Sequence, residues 1–514
     1  MKRTLGRVVV LTMALAPTVA WAQDSIQERI NRIERGLTRA LQIGPSTTWT
    51  IQERMQHYRV PGLSIAVINN FKVEWSRQYG VRDSRTGESV TDSTLFQIAS
   101  ITKPVTATVA LKLVERGVLD LDRDVNEYLK SWKVPENEFT REEKVTLRRI
   151  LSHSAGLTVP GFRGYAEGEA VPNILQVLDG KPPANSAPVR VDMKPGSGAR
   201  YSGGGYTVLQ LIIEDVTGRP LAELIDELVL KPAGMKESSL AYPLPAALAA
   251  RRSSGHDESK RAFTGYAFVL GGSGCCGLWT TAADLAKFGT EMQRALRGDT
   301  DAILRPTTAK MMATPTNSET FGLGWELHRY GSTTYLAHGG GNPGFGSLLI
   351  VHPTAGYGAA ILMNANTDGL PGEILNSIAS EYAWDWVQPR SYPSTEVFIS
   401  HLREVYRERP NDPEVSEAGL NRLGYGLIRT GPRDAALQVF ALDVELNPQS
   451  ANCFDSLAEA HESFGDFSAA LVNYRKAIEV LDRHPARNAS YARYRDKTMA
   501  KIRELEEKTP KKPE

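Results

Sequence analysis

The sequence predicts an α+β domain followed by an all-α domain. Three features carry this. Short apolar runs bounded by turn residues occur at 63–75 and at 321–363, and they read as antiparallel strands. Between them, apolar residues recur at helical spacing near 101–113, 208–216 and 281–296. After Pro389 the composition changes, and a helical repeat of 34 residues begins near residue 415.

Taken in order, residues 26–41 form a charged helical lead-in. Pro61-Gly62 opens the apolar run 63–68, Asn69-Asn70 makes a turn, and residues 71–75 complete a hairpin. Residues 95–99 read as a short buried segment. Ile101, Val105, Val109 and Leu113 recur every four residues, the stripe of an amphipathic helix. Pro104 fits only near a first turn, so this helix starts close to Ser100, and Gly117 is placed to cap its end. A turn at 151–157 follows a helical run ending near Ile150. Residues 160–200 are rich in Gly and Pro and predict a long irregular covering loop. Tyr201-Ser202-Gly203-Gly204-Gly205-Tyr206 leads into the apolar helix at 208–216. A glycine-rich bend at 271–277 precedes the helix at 281–296.

In the tail, Leu423-Gly424 corresponds to Leu457-Ala458, Gly431 to Gly465, Ala436 to Ala470 and Phe440 to Tyr474. Ala436-x-x-x-Phe440 and Ala470-x-x-x-Tyr474 resemble the second-helix signature of tetratricopeptide repeats, with Pro448 at a repeat end. Two repeats are visible where about three are usually needed, so 395–408 and 487–506 are expected as capping helices. The domain boundaries read as 23–388 for the α+β domain, 389–410 for a linker and spacer helix, and 411–508 for the helical repeats.

The chain has 514 residues, with hydrophobic content of 41%, charged content of 23% and net charge +1. That is an ordinary composition for a globular protein, and it gives no basic surplus for nucleic acid or an acidic membrane. Lys2, Arg3 and Arg7 precede a mostly apolar stretch at 8–19, and Ala20-Trp21-Ala22 fits a cleavage site. Residues 1–22 therefore read as a signal peptide, with a periplasmic or secreted destination. No Cys follows the cleavage site to carry a lipid, and no transmembrane span is expected. The three cysteines, Cys275, Cys276 and Cys453, make no disulfide framework. Neighbouring cysteines would need a strained ring to bond each other, so Cys275 and Cys276 are expected as buried small residues.

The chemistry concentrates in three ordered motifs. Ser100-x-x-Lys103 places an amine and a hydroxyl on one helical face, at a helix start whose amides favour developing negative charge. Tyr201-Ser202-Gly203 follows, and His338-Gly339-Gly340 comes last. Together with Leu95-Phe96, His153-Ser154-Ala155-Gly156-Leu157 and Gly277-Leu278-Trp279, these motifs resemble the serine β-lactamase and penicillin-binding protein superfamily. The likeness is to its branch of class C β-lactamases, DD-peptidases and family VIII-type esterases, over roughly residues 45–385. It implies a β-lactamase/transpeptidase-like fold, with an antiparallel sheet flanked by helices and a helical subdomain.

The same resemblance implies roles. Ser100 is the nucleophile that forms an acyl-enzyme. Lys103, in a cationic and partly buried site, has a lowered pKa and accepts the serine proton. Tyr201 shares that proton, and which of the two takes it stays open. Backbone N–H groups of Ser100 and Gly341 form the oxyanion hole. Gly203, His338, Gly339 and Gly340 contact substrate, the glycines allowing close approach. Two positions depart from the family pattern: Gly203 stands where β-lactamases and peptidases carry Asn, and His338 stands where many carry Lys.

The expectation is thus an exported serine hydrolase of esters or related small acyl compounds, with no cofactor and no metal. The alternatives are a class C-like β-lactamase or D-amino-acid peptidase, and a penicillin-recognising sensor acting through its tail. The tail implies a protein partner or self-association. Ser154 lies in a partial G-x-S-x-G pattern that lacks its first Gly. The pattern from Gly339 to Gly344 is interrupted by Pro343. Neither is expected to function.

Overall fold

The computed structural model describes residues 25–508, apart from 167, 264–272, 331, 368, 387–388 and 484–488. The expected signal peptide at 1–22 lies outside the described residues. Among the described residues, the central sheet has seven antiparallel strands. They are β2 (Gly62–Asn69), β3 (Lys72–Asp83), β4 (Glu88–Ser89), β7 (Glu326–Tyr330), β8 (Thr333–Asn342), β9 (Phe345–Val351) and β10 (Gly358–Met363), in the spatial order β4-β3-β2-β10-β9-β8-β7. The sheet therefore joins residues from both ends of the α+β domain, with β2 paired to β10.

β2 and β10 are buried on both faces, and the strand period sorts their side chains. Leu63, Ile65 and Val67 of β2 share one core with Ala359, Ile361 and Met363 of β10. That core is closed by the helices Ile26–Arg35 and Gly369–Glu381. Ala66, Ile68, Ala360 and Leu362 face the other core, under the helix Ala282–Arg297 and the helical subdomain. Asn70 and Phe71, with φ of 52° and 59°, occupy the two central positions of the β2–β3 turn. This matches the type I′ geometry that suits strand twist. Phe71, expected in the strand, belongs to the turn.

The helix Thr102–Glu115 forms where expected and ends on Gly117 at φ 72°. The Gly117 N–H donates to the Val114 carbonyl and the Val118 N–H to that of Leu113, a Schellman closure. The expectation of an amphipathic stripe is corrected. Every residue from Thr102 to Leu111 is buried, as the core helix of a subdomain requires. The covering region at 160–200 is irregular except for the helix Ile174–Asp179. The helical lead-in stops at Arg35, and β1 (Leu41–Ile43) follows it.

β1 pairs in parallel with β11 (Arg390–Tyr392), inside the segment expected as a linker. Beyond it lie the helix Thr395–Glu408 and two helical hairpins, Glu417–Thr430 with Arg433–Leu446 and Ala451–Ser463 with Phe467–Asp482. A last helix, Ala489–Lys508, packs Ile502 and Leu505 against Ala458 and Ala470. Corresponding positions are buried alike in the two hairpins: Ala436 and Ala470, Phe440 and Tyr474. Gly424 is small because a Cβ there would lie 2.5 Å from the Phe440 ring. Among the described residues, no helix is long and apolar enough to cross a membrane.

Candidate active site

Ser100 sits in a 3₁₀ turn, Ala99–Ile101, that runs directly into the helix Thr102–Glu115. The turn is held on several sides. Ile98 N–H donates to the Leu278 carbonyl, Thr102 Oγ1 donates to the Ala99 carbonyl at 2.7 Å, and Leu278 N–H donates to Thr102 Oγ1. The short β5 (Phe96–Gln97) pairs with β6 (Trp279–Thr280) just before it. Ala99 adopts φ 47°, a left-handed conformation that a non-glycine residue keeps only where its surroundings hold it.

Lys103 lies one helical turn on, and its Nζ donates to Ser100 Oγ at 2.9 Å and to the Cys275 carbonyl at 3.1 Å. The side chain is 2% exposed. Burial disfavours its charge and pushes its pKa down to about 7, against the opposing pull of Glu326. The sequence reading of a cationic surround is corrected: desolvation lowers this pKa, and the nearby carboxylate acts the other way. The Lys103 Nζ also lies 4.7 Å from the centroid of the Tyr201 ring.

Tyr201 precedes the helix Gly203–Thr217, whose N-cap is Ser202. Burial raises the phenol pKa well above its ordinary value, and a hydrogen bond with Ser100 only partly opposes this. The phenol therefore stays protonated at neutral pH. Gly203 opens the helix. Its N–H donates to the Pro160 carbonyl at 3.1 Å, and the next N–H donates to Val159. A Cβ at Gly203 would lie 3.1 Å from the Pro160 oxygen and 3.3 Å from the Phe162 ring. The covering loop thus packs closely on the position a Cβ would take here.

β8 brings the third motif. β7 pairs with it only as far as Glu326 opposite Ala337, so from His338 onward its strand partner is β9 alone. His338 is buried, and its Nδ1–H donates to the Gly339 carbonyl at 2.7 Å. Burial pushes its pKa down to about 4, so the imidazole is neutral. Its 3.8 Å approach to Glu326 Oε1 is accordingly no ion pair at neutral pH. Glu326 keeps its charge. Burial alone would raise its pKa, but the His328 hydrogen bond and the neighbouring His338, His328 and Lys103 lower it.

The glycines of β8 differ in purpose. A Cβ at Gly340 would strike the Ile98 carbonyl oxygen at 2.1 Å, so this glycine lets β8 meet the nucleophile turn. Gly339 faces open space, and Gly341, near the strand end opposite Gly346, is exposed. Asn342 Nδ2 then donates to Gln97 Oε1 and to the Cys276 carbonyl, fixing the strand end to the same turn.

The structure thus gathers Ser100, Lys103, Tyr201 and His338 around one point. It adds two residues to which the sequence reading gave no role, His153 and Glu326. The His153 ring lies 4.3 Å from that of Tyr201. The signal for His153 was its place in the His-Ser-Ala-Gly-Leu match. For Glu326 no local signal exists, since strand register places it. Ser154 is buried, and its hydroxyl is held by Ser152 at 2.9 Å and Asn317 at 2.8 Å. Cys275 and Cys276 are buried as expected, with their sulfurs in direct contact.

Comparison with known proteins agrees with this fold. The family model described as Beta-lactamase matches residues 49–381. "Esterase EstB" of Burkholderia gladioli is 30% identical over 218 residues, 41% of this chain and 54% of that one. The chain thus spans little more than half the length of that esterase. "Penicillin-binding protein 4" of Amycolatopsis lactamdurans is 28% identical over 60% of this chain and 82% of its own. Among solved structures, "D-alanine Carboxypeptidase AmpC" from Burkholderia cenocepacia superposes with a TM-score of 0.53 at 20% identity, over 70% of this chain and 99% of that one. At that identity it speaks to fold alone.

Proposed function

The chain belongs to the Beta-lactamase family, and from that premise we propose that it is an exported serine hydrolase of esters or related small acyl compounds. The contact that carries this reading is the buried Lys103 Nζ at 2.9 Å from Ser100 Oγ. With its pKa near 7, Lys103 is in part neutral at neutral pH and can take the serine proton as the oxygen attacks the acyl carbon. Tyr201, kept protonated by burial, is the better donor to the departing alkoxide. The proton returns from Lys103 through Tyr201, the alcohol leaves, and the acyl group stays on Ser100. Water then attacks the acyl-enzyme with the same groups in reverse, releasing the acid. Backbone N–H groups of Ser100 and Gly341 are proposed to hold the oxyanion, each such donor lowering the barrier by ~3–4 kcal/mol.

Ester preference rests on two absences of function. Gly203 offers no amide to an acylamido side chain, and neutral His338 offers no fixed charge to a substrate carboxylate. A neutral hydrogen bond lost in this way costs ~0.5–1.5 kcal/mol. The esterase name of one relative favours the same reading. A penicillin-directed or D-amino-acid peptidase activity is the second reading, favoured by the name of another relative. The test is steady-state kinetics in one buffer. The specificity constant for p-nitrophenyl butyrate should exceed that for benzylpenicillin at least about a hundredfold, as a loss of both contacts plus the easier cleavage of esters implies. Equal or faster penicillin turnover would favour the second reading. No turnover of either would favour a sensor that acts through the tail.

A further inference from the structure

We infer that His153 is a positioning residue that holds Tyr201 in place for proton transfer; this rests on the reading of Tyr201 given above. Tyr201 lies before the first turn of its helix, so helical register does not fix it. The residues on either side of it are both tied to His153. Arg200 N–H donates to the His153 carbonyl at 2.7 Å, and Ser202 N–H donates to the His153 Nδ1 at 3.1 Å. Between these two bonds the Tyr201 ring lies against the imidazole, with centroids 4.3 Å apart and planes at 33°. One residue therefore fixes the tyrosine backbone from both sides and its ring from a third.

His153 is itself held. Its φ is 57°, its N–H donates to the Ile150 carbonyl, and its ring also meets Phe321 at 5.0 Å and Tyr206 at 5.4 Å. Such a backbone conformation in a non-glycine residue marks a place where the surroundings over-determine the geometry. Because Nδ1 accepts from Ser202, the neutral ring carries its proton on Nε2. A protonated ring would have no acceptor left for Ser202. The titratable groups around the ring are Tyr201, Tyr206, Lys103 and His338, and burial together with Lys103 and His338 disfavours the protonated form. His153 thus serves as an acceptor and a wall beside the proton-transfer groups.

The test compares wild type, His153→Ala and His153→Asn in the full chain. Asparagine tolerates the left-handed backbone and offers an oxygen where Nδ1 stood. Turnover of p-nitrophenyl butyrate is measured per active site, with sites counted by complete labelling with a fluorophosphonate. His153→Ala should lower kcat per labelled site at least about tenfold, with KM within about twofold, since small misplacements of reacting groups cost up to ~10²-fold. His153→Asn should recover part of that loss. Unchanged kcat per site in His153→Ala, with only fewer labelled sites, would show a purely structural residue and overturn the inference. Equal loss in the two variants would overturn it as well. A wild type that neither labels nor turns over would remove the hydrolase reading, and the role of His153 with it.

Discussion

The Lys103 Nζ lies 2.9 Å from the Ser100 Oγ, reaching back three residues from the first turn of a buried helix to the 3₁₀ turn that leads into it. The base is conditioned by burial rather than by a neighbouring cation.

The pH dependence of acylation follows from that pair. Neutral Lys103 is the competent form, so kcat/KM for a short aryl ester should rise through an apparent pKa of about 7. Lys103→Arg, whose charge cannot be removed, should lose at least ~10²-fold in kcat. A flat profile from about pH 5 to 9 would contradict this assignment.

Stability carries the opposite face of the same shift. Between about pH 7 and the ordinary lysine value of ~10.4, the unfolded chain holds a proton on Lys103 that the folded chain does not. Stability from this group therefore rises with pH across that window. Lys103→Met should be more stable than wild type at neutral pH, with the difference shrinking toward about pH 10. Urea unfolding followed by fluorescence at several pH values reads it. A methionine variant less stable at every pH would show that the amine's hydrogen bonds outweigh its desolvation.

Gly203→Asn should not restore penicillin recognition. The new side chain crowds the loop at Pro160 and Phe162, which is bonded to the helix start. Overpacking of this kind costs ~1–3 kcal/mol. The variant should unfold at lower urea, with a lower ester kcat/KM and no gain on benzylpenicillin. Faster penicillin turnover at wild-type stability would show that the loop yields freely.

Truncation after residue 388 removes β11, which pairs with β1. It also strips cover from Leu41 and Ile43, which pack with Phe398 and the tail core. The two main cores of the α+β domain are formed without the tail. The truncated protein should therefore still react at Ser100 but lose half its activity at a temperature several degrees below that of the full chain. Identical heat tolerance would make the tail an independent attachment.

Much of this was legible in the sequence, because local pattern reports local structure. The Ser100–Lys103 spacing gave their shared face, and the apolar runs around Asn69-Asn70 gave the β2–β3 hairpin. The 34-residue period gave the two helical hairpins of the tail. What was not legible depended on partners distant in sequence. The helix Thr102–Glu115 looked one-sided because residues such as Thr102, Thr106 and Thr108 read as polar, yet they are buried. Thr106 Oγ1 donates to the Gly274 carbonyl and Thr108 Oγ1 to that of Pro104. The β1–β11 pairing joins segments near the two ends of the α+β domain, and neither carries a strand-length signal. His153 meets the Tyr201 ring with its own and accepts from the backbone N–H groups of Arg200 and Ser202, contacts across some fifty residues that local spacing does not encode.

The most direct measurement is peptide mapping by mass spectrometry after reaction of the full chain with a fluorophosphonate. The adduct should fall on Ser100 alone and disappear in Ser100→Ala, with ester hydrolysis lost in the same variant. An adduct on Ser154 with Ser100 unmodified, or undiminished hydrolysis in Ser100→Ala, would contradict the assignment of the nucleophile and of the mechanism built on it.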